Sequence, residues 1–342
     1  MRAFITGVAG ASLTAEERQF LKEAEPWGLI VFARNVGDGQ SLRRLVEEAR
    51  AALGRQAPVL IDQEGGRVQR LKPPLAPNYP PGAAYGAVYD RDRDAGLRAA
   101  KLGARLMAAD LTRFGIDVDC APIADVPVAG SDPIIGDRAY GTEPAKVAAI
   151  GGAIAAGLLE GGVLPVLKHI PGHGRATADS HQRLPVVNTD RATLEATDFA
   201  AFRPLAASPM GMTAHVVFTA FDPVAPATSS ASIVGEVIRN SIGFQGLLMS
   251  DDVSMGALSG SLGERTTAAI AAGCDMVLHC NGNMSEMTAV AAQAPLLTGA
   301  AARRADAALA ARKSAAPIDI AASRAEFSDL MAGVWSSAPY SA

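Results

Sequence analysis

Short apolar runs alternate with longer amphipathic stretches along most of this chain, and that rhythm limits its fold more than any other feature. The short runs fall at residues 3–6, 29–32, 59–61, 116–120, 164–167, 210–213, 247–250 and 276–279. They are too short for helices and mostly lack polar–apolar alternation, as strands covered on both faces should. Between them, Thr14 and Glu17 form a capping-box pattern ahead of a helix over 15–24. Helical periodicity recurs at 41–53, 95–113, 144–159, 192–202, 232–241 and 264–272, and then at 300–313 and 322–332. Strand then helix, repeated about eight times, predicts a parallel sheet with crossover helices. Closed into a ring, this is an α/β fold of the TIM-like (β/α)8 barrel type. It is predicted as a single domain over 1–335, with 336–342 as a C-terminal tail. An open doubly wound sheet is the competing arrangement, but no Gly-x-Gly-x-x-Gly segment opens the first helix. The proline-rich stretch 72–81 reads as a loop over a strand end.

Composition narrows the function classes. The chain has 342 residues, 49% hydrophobic and 19% charged, which is enough apolar material for one large core. A net charge of -4 with no basic block gives no sign of a nucleic-acid or anionic-membrane partner. Cys120, Cys274 and Cys280 are an odd set without Cys-x-x-Cys spacing, so they read as free thiols in a reducing compartment. The N-terminus lacks a secretory apolar region, and the uncharged segment 147–159 is shorter than the ~20 residues that span a bilayer. The expectation is a cytoplasmic protein without a membrane span.

Polar residues repeatedly terminate the strand-like runs: Asp62, Lys168 with His169, His215, Asp251 with Asp252, and His279. Unpaired burial of such groups costs several kcal/mol, and in a barrel the carboxyl ends of the strands carry the chemistry. A shared site is therefore expected there. Three of the five histidines fall within the 13 residues from His169 to His181, around Pro171, Gly172 and Gly174. In an extended stretch Asp179 and His181 point the same way. A carboxylate beside an imidazole fixes its tautomer and favours the charged ring, making a proton donor. His173, between two glycines, reads as a residue that hydrogen-bonds the loop into shape.

The segment Lys168-His169-Ile170-Pro171-Gly172-His173-Gly174, followed by Asp179-Ser180-His181, resembles a signature of family 3 glycoside hydrolases, in their β-N-acetylglucosaminidase branch. Asp62-Gln63-Glu64-Gly65-Gly66-Arg67-Val68-Gln69-Arg70 and Ser250-Asp251-Asp252-Val253-Ser254-Met255 match further family segments, as do Phe32-Ala33-Arg34-Asn35 and Gly136-Asp137-Arg138-Ala139. The resemblance is nearest to single-domain bacterial enzymes of cell-wall recycling, which are cytoplasmic. It implies release of terminal N-acetylglucosamine from 1,6-anhydro-N-acetylmuramic acid, with or without a stem peptide, by a monomer that needs no cofactor or metal.

The resemblance also implies roles. Asp251 is the nucleophile of a retaining mechanism, and His181 with Asp179 is the acid/base pair, on a loop that swings over substrate. Asp62, Arg70, Arg138, Lys168 and His169 hold the sugar, a task that suits carboxylate acceptors and cationic donors. Asp252 is the second candidate for nucleophile, but it is expected to hydrogen-bond the turn, since it points away from Asp251. Glu64 and Arg67 are expected to pair with each other, and His215 and Met255 to wall the pocket. Arg175 and His279 depart from the family pattern and are expected to affect the leaving-group side, while Ile170 replaces a usual phenylalanine. A phosphorylase is a related alternative, because histidine repels an anionic nucleophile less than a carboxylate does. A metal-dependent hydrolase on the same barrel and a catalytically dead sugar-binding protein are the other readings; no His-x-His or His-Glu-x-x-His pair supports the former.

Overall fold

The computed structural model describes residues 1–336; most of the expected tail, 337–342, lies outside the described residues. Eight strands close into a barrel: β1 Arg2–Thr6, β2 Pro26–Val31, β3 Val59–Ile61, β4 Val118–Asp119, β5 Leu164–Ile170, β6 Met210–Thr213, β7 Leu247–Asp252 and β8 Met276–His279. Each pairs in parallel with its chain neighbours, and β8 pairs with β1. These are the eight strand-like runs of the sequence, with ends shifted by a few residues.

The two-residue period of a strand sorts the core into two shells. Ile5, Ile30, Leu60, Val118, Val166, Met212, Met249 and Leu278 fill the barrel interior. Phe4, Leu29, Val31, Val59, Ile61, Leu167, Leu248 and Val277 face the helical ring. Beneath the barrel, the helix Gly299–Ala311 packs Ala305 and Ala308 into the inner shell. It is tied there by Arg304 to Asp275 (2.9 Å), and Arg312 just beyond it pairs with Asp117. Chemistry is thereby left to the opposite, carboxyl-terminal end.

Most helices follow the apolar periodicity. The Thr14 hydroxyl accepts the Glu17 N–H at 3.0 Å, and the Glu17 carboxylate accepts the Thr14 N–H at 2.8 Å, closing the expected capping box. The helix expected over 192–202 stops at Ala196 and continues as two short 3₁₀ turns. There the Thr197 hydroxyl bonds back to the Thr193 carbonyl, and Pro204 cannot donate to a helical ladder. Residues 233–241 wind as a π-helix.

The helix Gly82–Arg91 was not among the helices expected from the periodicity, and it carries glycines at 82 and 86. Their role is close approach: a Cβ at Gly82 or Gly86 would collide with the carbonyl oxygens of Arg138 and Tyr140. This helix therefore seats the loop that carries Arg138. Among the described residues no helix is long and apolar enough to cross a membrane. Cys120 and Cys274 are buried free thiols, and Cys280 is free and partly exposed.

Candidate active site

The interior register continues past the strand ends. Two residues beyond the inward-facing Ile30, Leu60, Val166, Met249 and Leu278 stand Phe32, Asp62, Lys168, Asp251 and Cys280, and all five line one cavity of about 570 Å³. Arg70, Arg138, His169, Asp179 and His181 line the same cavity, so the expected catalytic and sugar-holding residues all meet there.

Its floor is a buried ion-pair network. Lys168 Nζ donates to Asp62 Oδ1 at 2.9 Å and lies 2.7 Å from Glu64 Oε1. Arg70 donates to Asp62 Oδ2 at 3.1 Å, and Arg138 grips Glu64 through two bonds of 2.8 Å. Burial alone would raise the Asp62 carboxyl, but Lys168 and Arg70 outweigh it and hold the group well below the usual carboxylate range. Glu64 is likewise lowered, burial being overcome by Arg138 and Lys168. The loop holding Arg70 is set by the buried Gln63 amide, whose oxygen accepts the Arg70 and Leu71 N–H groups at 2.9 and 3.0 Å.

Removing one member of such a network strands a buried charge. Lys168→Met is therefore expected to lower stability by about 3–5 kcal/mol, read as a fall in the urea midpoint. An unchanged midpoint would mean that Asp62 and Glu64 are compensated without it.

His169 points its Nδ1 at the fully buried Asp125, 2.6 Å away. Asp125 also accepts the His173 N–H at 2.6 Å and lies at the end of the segment that follows β4. Beside it, the His173 ring is buried, which, with the neighbouring His169, pushes it down from 6.5 to about 4. The unfolded chain takes up that proton near pH 6.5 and the folded chain only near pH 4. Between these values the unfolded state binds more protons, so stability falls as pH falls. The expected loss is about 3 kcal/mol across that window. His173→Gln should flatten the pH dependence of the urea midpoint between pH 6.5 and 4; an unchanged slope would assign it to other groups.

At the end of β7, Asp251 accepts the Asp252 N–H on Oδ1 at 2.7 Å, leaving Oδ2 free. Burial raises the Asp251 carboxyl, but His215, His169 and that N–H overcome it, so it stays ionised. Asp252 is spent on the turn: it accepts from the Ser254 N–H at 3.0 Å, the Ser254 hydroxyl at 2.7 Å and the Cys280 N–H at 3.2 Å.

Across the cavity mouth Asp179 Oδ1 accepts from both His181 Nδ1 (2.8 Å) and the His181 N–H (2.9 Å). Burial raises Asp179, and these two bonds bring it below its ordinary value. The pair forms in a turn, not the extended stretch expected, because the aspartate caps the N–H two residues on. The turn is stitched to the loop after Asp251 by the Gly256 and Ala257 N–H groups, which donate to the His181 and Ser180 carbonyls at 3.2 and 3.1 Å.

Several expectations are corrected. Glu64 and Arg67 do not pair: the chain reverses at Gly65 and Gly66, both at positive φ, and Arg67 turns outward to Asp137 (3.3 Å). Met255 lines the cavity but His215 does not. It sits behind the wall, between the Thr228 hydroxyl (2.7 Å) and the Asp252 carbonyl (3.0 Å). Arg175 is held away from the cavity by the buried Asp198 (2.9 Å), and His279 faces Glu286 (3.1 Å), so neither lines the cavity. Arg34, which spans the Val8 and Cys280 carbonyls and stacks on Phe32, lines the cavity. Among the described residues no three His, Cys, Asp or Glu side chains form a group able to hold a metal ion.

An ionised, half-free carboxylate facing a carboxylate-paired imidazole, above a polar floor, is equipped for nucleophilic attack with proton transfer. Comparison with known proteins shows the family. Residues 5–309 match the N-terminal domain of glycosyl hydrolase family 3. A β-hexosaminidase of Alkalilimnicola ehrlichii is 41% identical over 80% of this chain and 79% of its own length. One of Idiomarina loihiensis is 34% identical over 89% and 91%. The structure of NagZ from Neisseria gonorrhoeae in complex with N-trifluoroacetyl-D-glucosamine superposes with a TM-score of 0.86 at 30% identity, covering 97% of this chain and 98% of that one. The chain thus belongs to glycosyl hydrolase family 3, as a glycoside hydrolase built on a single (β/α)8 barrel.

Proposed function

We propose that this protein is a retaining exo-β-N-acetylglucosaminidase that removes terminal, non-reducing N-acetylglucosamine. The proposed substrate is N-acetylglucosaminyl-1,6-anhydro-N-acetylmuramic acid, with or without stem peptide, handled by a cytoplasmic monomer. The observation that supports it most is that the free Asp251 carboxylate and the Asp179–His181 pair face one cavity over a floor of sugar-hydroxyl partners. The names of its relatives and the sugar analogue bound by its structural neighbour support the sugar class.

In this reading Asp251 Oδ2 attacks the anomeric carbon. Asp179 is an acceptor only, so His181 Nδ1 carries a hydrogen toward it and Nε2 holds the transferable proton. Nε2 gives that proton to the departing oxygen as the glycosyl–Asp251 ester forms, then takes one from the water that cleaves the ester. Asp62, Glu64, Arg70, Arg138, Lys168 and His169 orient the ring hydroxyls.

The test is release of 4-nitrophenol from its β-N-acetylglucosaminide, with the first-formed sugar followed by NMR. A β-anomer product is expected. An α-anomer would overturn retention, a sugar 1-phosphate formed in phosphate buffer would favour phosphorolysis, and tight sugar binding without turnover would leave a binding protein.

A further inference from the structure

A buried chain of contacts joins the floor of the cavity to its mouth. Asp125 belongs to none of the motifs that the sequence displays, yet its carboxylate holds both the ring of His169 and the backbone N–H of His173. The His173 ring meets that of His169 edge-on, with centroids 5.9 Å apart, and its Nε2 lies 3.0 Å from Ser180 Oγ. Ser180 is 3% exposed and stands between Asp179 and His181. Its carbonyl is held in turn by the Ala257 N–H.

The His173 ring is costly filler, because its Nδ1 is buried with no partner and the contact with Ser180 is its one side-chain hydrogen bond. The neighbouring backbone is equally constrained: a Cβ on Gly174 would collide with the main chain of Val126, next to Asp125. The geometry points to His173 and Ser180 as positioning residues for the acid/base pair. Through the Ser180 hydroxyl, anchored on His173 and Asp125, they set the height of His181 over the glycosidic oxygen. This rests on the acid/base reading of His181. Neither residue takes up or gives a proton in the reaction.

Ser180→Ala removes the contact without adding bulk. The measurement is kcat and KM for aryl β-N-acetylglucosaminides from the 2,4-dinitrophenyl to the phenyl glycoside, in wild type, Ser180→Ala, Ser180→Thr, His173→Gln and His181→Ala. A mispositioned acid matters most where the leaving group needs its proton. Ser180→Ala should therefore lose about tenfold in kcat on the phenyl glycoside and little on the dinitrophenyl one, with KM nearly unchanged. Ser180→Thr keeps the hydroxyl, and His173→Gln keeps a polar group at the ε position; both should recover most of the loss. An equal loss on every substrate, tracking a fall in Tm, would reduce the contact to a structural one and overturn the inference. A steep leaving-group dependence in His181→Ala with a shallow one in Ser180→Ala would overturn this inference alone. A shallow dependence in His181→Ala would overturn the acid/base reading and this inference with it.

Discussion

Asp251→Ala is expected to lower kcat for 4-nitrophenyl β-N-acetylglucosaminide by about 10⁴-fold or more, with the fold and KM little changed. The carboxylate is ionised, and one of its oxygens already has a hydrogen-bond partner in the Asp252 N–H. The other has no such partner, and no neighbour can replace it, since both Asp252 oxygens serve the turn. Azide gives a sharper readout than rate alone. With Asp251 absent, azide attacks the sugar directly and yields the inverted α-glycosyl azide. A variant that retains more than a few per cent of wild-type kcat, or a larger loss in Asp252→Asn, would move the nucleophile elsewhere.

His181→Ala is expected to cost about 10²–10⁴-fold on a sugar leaving group and far less on the 2,4-dinitrophenyl glycoside, whose leaving group departs without a proton. Azide should restore turnover and give the retained β-glycosyl azide, because the glycosyl–Asp251 ester still forms. Equal losses on both substrates, or no β-azide, would remove His181 from the acid/base role. The ring is well exposed, with 63% of its side chain accessible, so the variant should fold normally.

The strands and most helices were legible because their apolar periods differ, and covered parallel strands leave a plain signature. Site residues were legible where a strand's alternation could be carried past its end. Leu60 faces inward and so does Asp62; Met249 faces inward and so does Asp251. The same counting separates the misplaced histidines. His279 follows the inward Leu278, so it turns out to Glu286, while Cys280 takes the place in the cavity. His215 stands three residues beyond the inward Met212 and falls behind the wall.

Asp125 and the Glu64–Arg138 pair were not legible. Asp125 lies beyond a two-residue strand, and its partners His169 and His173 are more than forty positions away. Glu64 and Arg138 are separated by 74 residues, and Arg138 is seated by a helix that the sequence periodicity did not display. Such pairings depend on how the loops pack, which no local period encodes.

The cavity wall holds five arginine or lysine side chains and five aspartate or glutamate side chains. These ten formal charges cancel, leaving only the proton that His181 carries in the proposed mechanism, so beyond a few ångströms the opening projects little field into solvent. Capture of substrate then gains little long-range guidance, and kcat/KM even for an anionic glycoside should change little between low and physiological ionic strength. An enzyme built this way meets its substrate by ordinary diffusion and discriminates only on contact, so that dissolved salts and polyanions pass it by.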